Sequence, residues 1–359
     1  ALETSSIATW VNAFEDGSYL VRATSIADCD STAGSYYPSS DTGASITLYV
    51  HPVNGTNPAS DGHTYEYTHR LNGLNADSPT GSLISGITAK RPLGQTGAFD
   101  VGRNSTLVNS SALQSGEHAV YVRSGSYVGH VTAQDAYWGS NTGILFVGYD
   151  DSTIAGGITF YGDTAVNNIT IGQQEGFYTH TGLSKTLPFV AYDHCRAINV
   201  LQGFGGDNAG IVNADNDTAI VTGAGGGFLV SAPMTIHGGS VRSQSGNAMG
   251  VKLSNNSAAV AIYGLDAYLP DSSSNAIGQY AGLHPVSVQI YDSTLLSGGA
   301  TLSLSCAGAS VMMSGNTMQS LSAQQYLRAS GTGSLVVSDL NEYYVSGGPA
   351  PFSLAGTAY

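Results

Sequence analysis

Met234-Thr235-Ile236-His237-Gly238, Val260-Ala261-Ile262-Tyr263-Gly264 and Val288-Gln289-Ile290-Tyr291-Asp292 share one pattern: apolar residues two apart, then Gly or Asp. Phe189 to Asp193, Ile211 to Asp215, Val311 to Gly315 and Leu335 to Asp339 repeat it, and the seven starts lie 22, 23, 26, 28, 23 and 24 residues apart. Alternation over five residues reads as a strand with one buried face. Its return with a period in the low twenties, each time with a turn residue at the end, is the signature of a solenoid that winds one coil per repeat. Upstream, Leu83, Leu107, Val131 and Ile154 keep the rhythm at 24, 24 and 23, and Leu-Ile-Ser-Gly-Ile-Thr at 83–88 is echoed by Ile-Ala-Gly-Gly-Ile-Thr at 154–159. About eleven coils are expected.

Composition agrees with an all-β chain. Of 359 residues 47 are Gly and only 10% are charged, which is too little helix-forming material for a bundle or an α/β sheet. The expected organisation is an N-terminal cap and irregular region at 1–80, a β-helix at 81–345 and a C-terminal tail at 346–359. Within the cap, Ile7 to Phe14 reads as a short amphipathic helix and Asp30 to Thr42 as a Ser/Gly/Tyr loop. The net charge is −14 with eleven Lys plus Arg scattered singly, so no basic stripe exists for nucleic acid or an anionic membrane. No apolar run reaches the length of a membrane span, so no membrane insertion is expected. Cys29, Cys195 and Cys306 are far apart and odd in number, which fits buried thiols.

The coil length and turn rhythm, carried by Phe189, Ile211, Met234, Val260, Val288, Val311 and Leu335, resemble the right-handed parallel β-helix of the pectin-lyase-like kind. The resemblance is one of architecture over roughly residues 80 to 345. It implies a polysaccharide lyase, glycoside hydrolase, epimerase, phage tailspike or adhesin, and fold alone does not choose between them. It further implies an extracellular, cell-surface or phage-virion location, polysaccharide as partner and side-by-side association as a homotrimer. A β-propeller or β-sandwich is the minor alternative.

Residues that break the repeat carry the chemistry. Glu117-His118-Ala119-Val120-Tyr121-Val122-Arg123 and His130-Val131-Thr132-Ala133-Gln134-Asp135-Ala136-Tyr137-Trp138 bring imidazole, phenol, guanidinium and indole within about one coil. Glu175, Tyr178, His180, His194 and Arg196 follow. β-Elimination on a uronate needs a cation for the enolate, a base and an acid. Arg123 or Arg196 suits the first role, His130 or His180 the second and Tyr137 or Tyr178 the third, with His194 beside them. His118, Tyr121, Asp135, Trp138, Glu175 and Tyr178 suit substrate binding. Elimination is therefore expected slightly ahead of hydrolysis, and a non-catalytic glycan-binding adhesin or tail-fibre shaft is the alternative. The expected cluster leaves stability alone, so Arg123→Ala and His130→Ala are expected to cost little.

Two carboxylates are the requirement for hydrolysis. Asp135, Asp193 and Asp215 each sit four residues after a coil start, but Asp or Gly fills that position in coil after coil, which equally suits a strand-ending turn. Two stretches depart from the period, 173–181 and 269–284, and are expected to emerge as loops on the binding side. Gly223 to Gly227 is expected on a turn. No cofactor is required; Ca²⁺ is the one ion that Asp150 with Asp151, Asp215 with Asp217, or Asp28 with Asp30 suggests, and none has the spacing of a calcium loop.

Overall fold

The computed structural model describes residues 11–39, 47–68, 72–76, 80–92, 97–138, 141–150, 156–169, 175–181, 187–207, 209–254, 259–279, 286–304, 308–321, 327–329, 335–345, 352–354 and 357–358. Strands succeed one another almost without helix, and successive coils pair in parallel, which is a parallel β-solenoid and excludes a propeller or sandwich. Each coil has three sides. The first is an eleven-stranded sheet running from Leu83–Ser85 to Leu335–Asp339. The second starts at Thr88–Lys90 and Ser111–Ser115, and the third at Leu74–Asn75 and Phe99–Val101.

Inside, side chains stack in columns because every strand pairs in register with the next coil. The third side points Phe146, Phe177, Phe204 and Phe228 inward in consecutive register. Their rings stack at 4.5, 5.0 and 5.4 Å. Facing them, the second side supplies Ala133, Ala165, Ala197 and Ala219. Toward the C-terminal end the third side shrinks to Val251, Ile277 and Leu302, while the second side swells to Leu295 and Met318. One wall gives what the other takes, so the interior stays close-packed. Glycine enters where even a methyl group is too large: a Cβ on Gly176 would lie 2.8 Å from Ala197 Cβ.

Corners are regular too. Between the first and second sides, one residue per coil takes a left-handed backbone: Asn109, His130, Gly162, His194, Asn216, Gly238, Gly264, Asp292, Gly315 and Leu340. The next residue turns inward, and where it is Ser, Asp or Asn its side chain accepts from the amide one coil back. Val131 N donates to Asp163 Oδ1 at 2.7 Å, Cys195 N to Asp217 Oδ1 at 2.7 Å, Ser293 N to Asn316 Oδ1 at 2.9 Å and Asn316 N to Asn341 Oδ1 at 3.0 Å. This ladder satisfies buried donors that the turn leaves without strand partners.

Several expectations change here. Val190, Val212, Met234, Val260, Val288, Val311 and Val336 share one register, so Phe189, Ile211 and Leu335 are one residue early as starts. Phe189 and Ile211 are 41% and 49% exposed; an apolar flank had imitated the buried alternation. Likewise 83–88 aligns with 159–164, not with 154–159, and Ile154 lies outside the described residues. The stretch 175–181 is the third-side strand of its coil, not a loop, and the chain around 269–284 holds the strand Asn275–Gln279. Gly223 to Gly227 does cross a corner, though without a break in the strand Thr218–Val230: Gly223 is left-handed where the chain passes from the second side to the third, and a Cβ on Gly225 would fall 1.6 Å from Leu201 O.

The N-terminal region also differs. Ala13–Glu15 is a strand, residues 7–10 lie outside the described set, and the expected loop contains the end of helix Ile26–Ser31 and the strand Ser35–Ser39. Ser25 caps that helix by accepting from Asp28 N. The region docks along the corner between second and third sides: Arg91 Nη2 and Gln114 Nε2 donate to Gly17 O at 3.3 and 3.0 Å, and Asn12 Nδ2 donates to Tyr137 O at 2.9 Å. On the third side, pairing runs past 345 to Phe352–Leu354. Cys29 and Cys195 are buried free thiols, and Cys306 lies outside the described residues.

Two predictions follow from the packing. Phe177→Ala should cost about 3–5 kcal/mol, because stacked neighbours held by their own coils cannot collapse into the gap, and urea unfolding measures it. Asp163 is fully buried, and burial lifts its carboxyl from 3.8 to about 8. The neutral acid is thus the form that fits, so its stability contribution is complete below pH ~4 and is lost as pH rises through the folded value. Asp163→Asn keeps the ladder acceptor, as Asn316 does, and should flatten the decline of melting temperature between pH 5 and 9; parallel declines in variant and wild type would contradict this.

Candidate functional site

Strands leave every second side chain for the outer face, and on the third side those outer columns gather half of the candidate residues. His118 aligns with Ile144 and Glu175, Tyr121 with Val147 and Tyr178, and Arg123 with Tyr149 and His180. Tyr121, Ile144, Val147, Tyr178 and Leu229 form an apolar cluster separate from the main core, with Tyr149 against it. This outer face is consequently a half-buried floor. Rings run across it, with Tyr121 5.1 Å from Tyr149 and 6.2 Å from His118. The side chain of His180 lies outside the described residues.

At one end Arg123 is committed. Its Nε and Nη2 donate to Asp100 Oδ1 and Oδ2 at 3.2 and 3.3 Å, and Asp100 is 2% exposed. A fork so engaged orders the floor and is not available to meet an enolate. At the opposite end of the strand Glu117 is pushed up to about 7 by burial, with His118 Nε2 3.9 Å from its Oε1, and its Oε2 has no hydrogen-bond partner.

Further along lies a group that spacing along the chain did not reveal. Burial, then the neighbouring Asp207 carboxylate, raises Glu175 to about 7, while Lys252 opposes the shift. Gln202 Nε2 donates to Glu175 Oε1 at 3.2 Å. Tyr178 hydrogen-bonds with Asp207 and Ser231, and burial followed by Asp207 pushes its phenol upward. A Cβ on Gly205 would come within 2.9 Å of the Tyr178 ring, so glycine gives that ring its place. Lys252 is lowered by burial and held up by Glu175. The arrangement pairs a carboxyl raised toward neutrality with a second carboxyl that hydrogen-bonds a phenol, which is the kind of acid and base division that glycosidic hydrolysis uses. Gln202 and Asp207 come from the coil after that of Glu175, and Lys252 from two coils beyond that one. Their only sequence signal was the rarity of Lys, of which the chain has three.

Other candidates lie elsewhere. His130 and His194 occupy left-handed positions at the first corner, and exposed Arg196 begins the second side. Tyr137 is 3% exposed, its ring 5.7 Å from Tyr19 of the N-terminal region, which removes it as a proton donor. Asp135 is a left-handed residue at the second corner, 3% exposed, accepting from Asn168 N at 2.6 Å. Trp138 ends the strand Thr132–Trp138, and its side chain lies outside the described residues. His118, Arg123, His130 and His194 therefore do not share one groove.

Asp193 and Asp215 align with each other and with His237, one residue before the corner, so they are outward strand residues rather than turn residues; Asp292 is the one that turns. Asp217 points inward while Asp215 points outward, and Asp28 accepts from Thr24 at the helix start. Asp151 lies outside the described residues. Among the described residues no group of His, Cys, Asp and Glu is arranged to hold a metal ion. No family model, curated protein or solved structure matches the chain.

Arg123→Ala would strand Asp100 in the sheet and should cost about 3–5 kcal/mol, against the small cost expected from sequence, whereas His130→Ala at an exposed corner should stay within about 1 kcal/mol. Chemical denaturation of both variants checks the contrast.

Proposed function

We propose that this solenoid binds a polysaccharide along the outer face of its third side and cleaves it by hydrolysis, with Glu175 as general acid and Asp207 as base or nucleophile. The observation that carries this reading is Glu175, kept near neutrality by burial and by Asp207 on a floor of Tyr121, Tyr149 and Tyr178. A protonated carboxyl can give its proton to the leaving oxygen, and Asp207 then activates water or attacks the sugar carbon. Hydrolysis is preferred to β-elimination because Arg123 is held by Asp100 and Lys252 faces Glu175, leaving neither described cation on this face to neutralise a uronate. Tyr178 holds the base in place. The setting proposed is extracellular, on a cell surface or on a virion, where such polymers are met.

Glu175→Gln and Asp207→Asn should each lower reducing-end release by about 10²–10⁴-fold, with the fold intact by circular dichroism. Activity should fall as pH rises through about 7, where Glu175 gives up its proton. An unsaturated product absorbing in the ultraviolet would restore elimination. Binding without any turnover by the wild-type chain would assign the protein to the adhesin or shaft class.

A further inference from the structure

The first side has an outer face that the proposed site does not use. One outer column reads Tyr161, Asp193, Asp215, His237, Tyr263 and Tyr291 in consecutive register. The corner residues His130 and His194 flank Tyr161, with ring centroids 5.3 and 6.1 Å away. Past the carboxylates the rings resume: His237 is 5.0 Å from Tyr263, and Tyr263 stacks on Tyr291 at 5.3 Å and 15°. Between them the imidazoles are oriented by acids, His194 Nδ1 on Asp193 and His237 Nδ1 on Asp215 at 3.0 Å.

Stabilisation of the sheet by cross-strand pairs is the plain account of such a column. It does not explain why the column stays open to water. Tyr161 and Tyr263 are each 37% exposed, and the His194 and His237 side chains 60% and 56%. Nor does stacking of coils require rings at this register, since Gly129 and Ser314 occupy it in other coils.

Charge narrows the occupant. None of the eleven strands of this sheet contains Lys or Arg, while Asp193, Asp215 and Asp339 face outward. Uronates, sulfated chains and phosphates would be repelled. The face repeats hydroxyls, carboxylates and imidazoles once per coil, every ~4.8 Å along the axis, a spacing close to one unit of an extended sugar chain. Ring edges, phenols and carboxylate–imidazole pairs suit the alternating C–H and hydroxyl surface of a sugar. We infer that the outer face of the first side, from His130 to Tyr291, is a second carbohydrate-binding surface that takes a linear, non-acidic polysaccharide running parallel to the solenoid axis. The inference stands independently of hydrolysis on the third side.

Binding is measured by titration calorimetry with the full chain carrying Glu175→Gln, which suppresses turnover, against xylan, glucan and chitosan oligomers and oligogalacturonate. Tyr263→Ala combined with Tyr291→Ala should weaken binding of the non-acidic oligomers about tenfold with unchanged melting, and Tyr161→Ala should act in the same direction. Neutral oligomers binding as well as chitosan would place recognition in hydroxyls and rings; chitosan alone would place it in the carboxylates. Preference for oligogalacturonate, no binding of any non-acidic oligomer, or binding unaffected by all three tyrosine changes would overturn the inference, whatever the activity of the third side.

Discussion

Each coil of this protein can bury its inner face only against the next coil, and that mutual dependence governs everything else in the structure. Parallel pairing in strict register turns a one-dimensional alternation into columns that run the length of the solenoid. The columns must then fill a common interior. The phenylalanines at 146, 177, 204 and 228 are tolerated because alanines at 133, 165, 197 and 219 stand opposite, and the trade reverses where Leu295 and Met318 replace alanine. Complementarity of this sort operates across sides, between residues 7 to 13 apart within a coil, so the five-residue alternation of a single strand does not contain it.

The same constraint separates buried acids by purpose. Asp163 and Asp217 face inward at the corner, cap amides of the preceding coil and have no access to water. Their raised carboxyls are a consequence of structure. Glu175 is raised as well, yet it sits on an outer face with Asp207, Tyr178 and Lys252 acting on its side chain or on one another, which is what supports the role proposed for it. Burial alone does not mark a site; burial with a second titrating group on an accessible floor does.

Outer columns are where such a fold has freedom, because the coil needs nothing particular of them. The third side spends that freedom on a half-buried floor of tyrosines and carboxyls, and the first side on an open ladder of imidazoles, carboxylates and phenols. The two faces draw on residues that the chain interleaves. Arg123 precedes His130 by seven positions and Tyr178 precedes His194 by sixteen, yet each pair is divided between faces.

That division explains what could be read along the chain and what could not. Alternation two residues apart and a return in the low twenties suffice to specify strands, corners and a stacked parallel solenoid, since both follow from local geometry repeated once per coil. The candidate floor was partly visible in the same way, as the off-pattern residues His118, Tyr121, Arg123, Glu175 and Tyr178. Register was beyond that reading: Phe189 and Ile211 mimic a buried start, and shifting by one residue exchanges turn for strand at Asp193 and Asp215. So were the partners. Asp100 claims Arg123 from the preceding coil, Tyr19 covers Tyr137 from the N-terminal region, and Asp207 and Lys252 reach Glu175 from coils further on. Proximity across stacked coils depends on how many residues each intervening connection contains, and only the assembled stack sets those distances.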